Sequence, residues 1–218
     1  MEVGEEHPAR QLPLLRCPFV SGRPEWEEIE PVFLKETVTG RAPVQATSLK
    51  TAWSTSALHL LFHAEDIEAW GTLTRRDDPI FNEEVIEAFL DPVGDLESYF
   101  EIEVSPLNVV CDLVLRRTRN GYRKEFGWDC EGLQTSVTKT PAAWNAELLI
   151  PFQSLCADLP VPGSRWRANF FRIDRPRKVP AELSAWSPTG MRRFHVQQRF
   201  GILEFTTELT EVKEKDSG

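Results

Sequence analysis

Residues 85–105 decide the fold: Val85-Ile86-Glu87-Ala88-Phe89-Leu90-Asp91, then Pro92-Val93-Gly94-Asp95, then Tyr99-Phe100-Glu101-Ile102-Glu103-Val104-Ser105. In an extended chain successive side chains point to opposite faces. Ile86, Ala88 and Leu90 therefore share one face, and Val85, Glu87, Phe89 and Asp91 share the other. In the second run Phe100, Ile102 and Val104 oppose Tyr99, Glu101 and Glu103. The Pro-Val-Gly-Asp break between the runs reads as a turn, so the pair is predicted to be a hairpin. One face is apolar; the other mixes aromatics with carboxylates.

The same grammar extends in both directions. Short runs rich in Val, Ile, Phe and Trp are separated by most of the 16 prolines and 12 glycines. They predict strands at Gln45–Trp53, Ala57–Ala64, Val109–Leu115, Leu133–Lys139, Ala143–Ile150, Arg165–Asp174, Leu183–Trp186 and Phe200–Phe205. Only Pro151–Ala157 and the acidic tail Thr207–Lys215 read as helical. The expectation is all-β: a single β-sandwich, jelly-roll or immunoglobulin-like, of about ten strands with little helix. Residues 1–16 are expected to be an extended N-terminal segment, 17–206 the sandwich, and 207–218 an acidic tail.

Composition narrows the function classes. With 41% hydrophobic and 27% charged residues, the 218-residue chain is an ordinary globular one. A net charge of −9 and the lack of a basic stripe exclude a nucleic-acid partner. No apolar run is long enough to span a bilayer as a helix. The start, MEVGEEHPARQLPLL, lacks the positive and apolar regions of a signal peptide and by itself reads as cytoplasmic or already processed. Cys17, Cys111, Cys130 and Cys156 lack zinc-ligand spacing; they read as core thiols in a reducing compartment, or as two disulfides after export.

Thirteen acids against two bases fall within Glu65–Glu103. Clustered carboxylates suit calcium, which takes six to eight oxygens. Asp66, Asp77, Asp78 and Asp91 are the expected donors, although an acidic solvated surface needs no ion. His59 and His63 lie on one predicted strand, where four residues span roughly 13 Å, too far to share a metal. His195 with Met191 is the only pair suited to an axially ligated haem; no haem is expected. Nucleophile-elbow, zinc-protease and phosphate-loop signatures are missing, while Glu87, Glu101, Asp112 and Glu147 supply carboxylates of the kind a glycosidase pairs. Of seven tryptophans, Trp53, Trp144 and Trp166 lie in strand-like runs and read as packing. Trp70, Trp128 and Trp186 lie in loop-like contexts, where an exposed indole can stack on a sugar's C–H face.

The order of motifs carries a resemblance. The chain reads TAWSTSALHLLFHAED (51–66), RRDDPIFNEEVIEAFLDPVGDLESYFEIEVSP (75–106) and AAWNAELLIPFQSL (142–155). It continues with GSRWRANFFRID (163–174), SAWSPTG (184–190) and FHVQQRFGILEF (194–205). Taken together from Cys17 to Phe205, this series resembles the family 9 carbohydrate-binding modules and their DOMON-like relatives. The resemblance implies a β-sandwich with a sugar-binding groove, often with structural calcium, in an extracellular or periplasmic setting. Carried onto this chain, it suggests Trp70 and Trp186 as stacking platforms, with Arg76, Glu87, Asn169 and Arg172 binding hydroxyls. The competing classes are a glycoside hydrolase-like enzyme using a carboxylate pair and a haem-binding DOMON-like electron carrier.

Overall fold

The computed structural model describes residues 11–208. Fourteen strands are present: β1 Leu14–Phe19, β2 Val32–Phe33, β3 Lys35–Glu36, β4 Thr47–Trp53, β5 Ala57–Glu65, β6 Val85–Asp91, β7 Ser98–Val104, β8 Val110–Thr118, β9 Gly121–Glu125, β10 Gln134–Lys139, β11 Ala143–Pro151, β12 Arg165–Asp174, β13 Glu182–Ala185 and β14 Gly201–Glu208. They hydrogen-bond in the order β10-β11-β5-β4-β1-β14-β12-β6-β7-β8-β9, with β13 and β2 attached at the sides. The only helical elements among the described residues are three-residue 3-10 turns, one of them Phe152–Ser154.

The sheet closes over on itself as a β-sandwich. Leu49, Leu58, Leu60, Phe62, Ala146 and Leu148 from one layer meet Ile86, Ala88, Leu90, Ile102 and Phe170 from the other in one core. Phe62 and Phe170 touch across it with ring centroids 6.2 Å apart. Burying each such side chain contributes about 1.5–3 kcal/mol, which is why the apolar parity of β6 and β7 fixes which face turns inward.

The opposite face of β6, β7, β8 and β12 is also covered. Phe89, Tyr99, Leu113 and Phe171 form a second apolar cluster with Phe194 and Phe200. Phe171 and Phe194 stack with centroids 4.2 Å apart. The chain after residue 190 thus lies over a sheet face that could have been solvated.

Three expectations need correction. Residues 1–16 do not all lie outside the sandwich: β1 begins at Leu14 and pairs in parallel with β14 and, through Phe19, with β4, joining the two layers. Its Pro18 marks a register shift between Cys17 and Phe19; proline donates no ladder hydrogen bond and tolerates such irregularities. Pro151–Ala157 makes one 3-10 turn rather than a helix. Thr207 and Glu208 continue β14, and the rest of the tail, like residues 1–10, lies outside the described residues.

Candidate functional site

β5 ends at Glu65, and the next residues form a built loop. Asp66 Oδ1 accepts the Glu68 amide at 2.7 Å, and Gln45 Oε1 accepts the Ile67 amide at 3.0 Å. Farther on, Glu83 gathers the amides of Thr72 and Leu73 and the Thr72 hydroxyl. Between these anchors sits Trp70, half-buried. Its indole N–H donates to the Arg175 carbonyl at 2.8 Å, and the Arg177 guanidinium lies 4.9 Å from the ring centre. Glu68 holds Arg177 at 4.0 Å from the outside.

The indole borders a cleft of about 270 Å³, with Asp66, Glu68, Lys139, Thr140 and Arg177 among its walls. Ile67 and Glu68 separate it from a groove of about 830 Å³ walled by Gln45, Asp174, Lys178, Leu183 and Arg192. One flat apolar face amid donors and acceptors is the chemistry that ring stacking with hydroxyl recognition requires. A third cavity of about 580 Å³ lies elsewhere, around Ser54, Ser56, His59, Gln134 and Glu147.

The other expected ligand residues do not join Trp70 at a free surface. Trp186 is 7% exposed and packs in the main core on Phe170, so it is a core residue rather than a platform. Asn169 is buried and spent: its amide N–H donates to the Ser187 carbonyl, and its Oδ1 accepts the amides of Ser187 and Phe170. Arg172 is buried in an ion pair with Asp66 at 2.8 Å and also donates to Thr47 and the Glu65 carbonyl. It holds the start of the Trp70 loop rather than offering donors to a ligand. Arg76 forks onto both Asp112 oxygens at 2.6 and 2.7 Å and reaches Asp129 at 2.9 Å. Trp128 packs on Phe100.

Glu87 lies on the covered face with Glu101 and Glu103, all three buried and with carboxylate oxygens within 4.8 Å of one another. The β6–β7 register sets Glu87 opposite Glu103 and Phe89 opposite Glu101. Burial pushes Glu87 and Glu103 well above the usual carboxylate range, reinforced at Glu87 by Glu101 and at Glu103 by Glu87 and Glu101. Of the remaining carboxylates weighed as a catalytic pair, Glu147 binds Arg23 and Trp26, and Asp112 binds Arg76.

The expected calcium donors do not converge. Asp66 faces Arg172, Asp77 groups with Asp112 and Asp129 beside Arg76, and Asp78 caps Arg75. Asp91 accepts the Gly94 amide and the Gln197 side chain. Such a dispersed set does not fit one cation of six to eight ligands. His59 bonds Ser54 while His63 bonds Asn145. His195 bonds the Tyr99 hydroxyl, whereas Met191 sulfur accepts from Arg193, so no axial pair forms. The cysteines are free thiols, with Cys17, Cys111 and Cys130 buried; burial pushes Cys130 up to about 12.

Sequence reasoning missed Arg177, Lys139 and Glu68 beside Trp70. The run Arg175-Pro176-Arg177-Lys178 was visible as a cationic loop, but its position over an indole 107 residues earlier in the chain is tertiary.

The family profile of carbohydrate-binding family 9 matches residues 25–205. An extracellular protein of Arthroderma benhamiae is 26% identical over 213 residues, covering 91% of this chain and 90% of its own. Among solved structures, a Bacteroides uniformis protein described as carbohydrate-binding superposes with a TM-score of 0.71 at 16% identity, over 88% of this chain and 98% of its own. A family 9 module from Caldicellulosiruptor kristjanssonii in complex with cellotriose gives 0.65 at 14% identity, over 91% and 97% of the two chains; its complex with glucose gives 0.64, also at 14%, over 91% and 100%. These structural likenesses agree with the sandwich, and the profile match places the chain: it belongs to carbohydrate-binding family 9.

Proposed function

We propose that this protein binds a carbohydrate without transforming it, using the Trp70 indole as the stacking platform. The observation that carries the reading is a half-buried tryptophan bordering a cleft walled by Asp66, Glu68, Lys139 and Thr140, in a chain of this family. Arg177 now covers the ring; it is an exposed, flexible side chain that can swing aside or close over a bound sugar. Stacking supplies apolar burial, and the surrounding donors and acceptors select the arrangement of hydroxyls. Affinity is expected to be modest, because one or two sugar rings bury little area against the cost of association.

A glycan array, followed by calorimetry with glucose and cellotriose, tests this. Trp70→Ala should weaken binding about tenfold to a hundredfold, equivalent to roughly 1–3 kcal/mol. Its melting temperature should fall only slightly, since the ring is partly exposed and gives up one hydrogen bond of about 1 kcal/mol. A wild type silent across the array, or a variant that binds undiminished, overturns the reading.

A further inference from the structure

The bases of this acidic chain are unevenly distributed. A pocket of about 260 Å³ opens above Glu87 and Glu101, and its walls include Phe81, Phe194, Lys124, Arg175, Arg192 and Arg193. Among the described residues, Arg175, Arg192 and Arg193 form no salt bridge. Arg175 donates to the Glu83 carbonyl at 3.4 Å, Arg192 to the Ala181 carbonyl at 3.0 Å, and Arg193 to the Met191 sulfur at 3.0 Å. Lys124 forms one salt bridge, to Glu101, at 3.8 Å. With 34 acids against 25 Lys and Arg overall, three guanidinium groups gather around one mouth without a salt bridge, Arg192 reaching Glu36 only at longer range.

We propose that this pocket takes the carboxylate of a uronic-acid sugar, gripped by Lys124, Arg192 and Arg193. The inference rests on the carbohydrate-binding reading above and names its substrate class. Guanidinium presents a planar fork of donors that matches a carboxylate in two parallel hydrogen bonds. Phe81, partly buried, borders the same pocket with Lys124 over its ring at 5.4 Å. The acidic floor does not cancel the basic mouth. Burial pushes Glu87 and Glu103 well above the usual carboxylate range, which weakens their negative charge. Even with Glu87, Glu101 and Glu103 all counted as charged, Lys124, Arg175, Arg192 and Arg193 outnumber them, and the mouth keeps net positive charge.

The pocket is not isolated from Trp70. It shares Leu183 and Arg192 with the larger groove, and that groove shares Ile67 and Glu68 with the Trp70 cleft. One oligosaccharide laid along this face would place a ring on the indole and a uronate among the arginines.

The test measures binding of glucose, cellotriose, glucuronic acid and trigalacturonate to the full chain, at low ionic strength and in about 0.3 M salt, where screening shortens the reach of exposed charges to below about 8 Å. Glucuronic acid should bind about tenfold more tightly than glucose at low salt, and the advantage should shrink in high salt. R192Q/R193Q, at two exposed positions, should abolish the preference with the melting temperature retained. If cellotriose binds while glucuronic acid shows no advantage over glucose, the uronate inference fails and carbohydrate binding stands. If the preference survives in R192Q/R193Q, the carboxylate is held elsewhere and the inference fails. If no sugar binds, both fall.

Discussion

Arg172 and Asp66 meet at 2.8 Å with both side chains 1% exposed, an ion pair sealed between β12 and the end of β5. Asp174 adds a second carboxylate at 3.7 Å. Such a pair costs desolvation, and removing one partner strands the other charge in the interior. Asp66→Asn should therefore cost about 3–5 kcal/mol in urea unfolding. The double change Arg172→Met with Asp66→Leu should recover part of that loss. If Asp66→Asn is as stable as wild type, the pair is not what fixes the Trp70 loop.

Glu84 lies in the same buried group, within 4.8 Å of Asp66 and Asp174. Burial first, then Asp66, pushes it from the ordinary 4.5 up to about 9. In that interval the folded protein keeps a proton that the unfolded chain gives up. The stability this contributes is whole below pH 4.5 and is lost as pH rises toward 9. Glu87 and Glu103 act in the same direction. Glu84→Gln keeps an acceptor for the Arg175 amide and should flatten, without abolishing, the fall of melting temperature with pH. An unchanged slope would argue against a proton on Glu84.

Trp186 and Trp70 should behave oppositely. Trp186→Ala empties part of the core and should cost about 3–5 kcal/mol, whereas Trp70→Ala should affect mainly sugar affinity. Gly201 gives an independent check. A methyl there would run into the Trp186 ring and lie 2.8 Å from the Pro13 carbonyl oxygen. Gly201→Ala should lose about 1–3 kcal/mol by overpacking, measured as a lowered denaturation midpoint.

Removing residues 1–19 takes away β1, the strand between β4 and β14. Its Leu15 and Cys17 leave the core, and two strand ladders lose their partner. The truncated chain should show broad, non-cooperative unfolding by circular dichroism. A sharp transition near that of the full chain would mean β1 is an accessory strand.

The sequence determined the sheet parity and therefore the sandwich. Alternation from Val85 to Ser105 placed Ile86, Ala88, Phe100 and Ile102 on one face and Glu87, Glu101 and Glu103 on the other, because side-chain direction in a strand is set by local geometry alone. Alternating runs with turn residues between them located most other strands for the same reason. Leu14–Phe19 escaped because it carries a proline and has no hairpin partner next to it in sequence; its parallel pairing to β14 joins residues 188 apart. The site was less legible. Trp70 and Trp186 look alike in sequence, each in a loop-like setting, yet one borders a cleft and the other fills the core beneath Gly201. Arg172 and Asn169 look like ligand-binding side chains and prove to be internal ties. Burial and the identity of a polar partner depend on which distant strand or loop packs against a residue, and only the tertiary structure decides that.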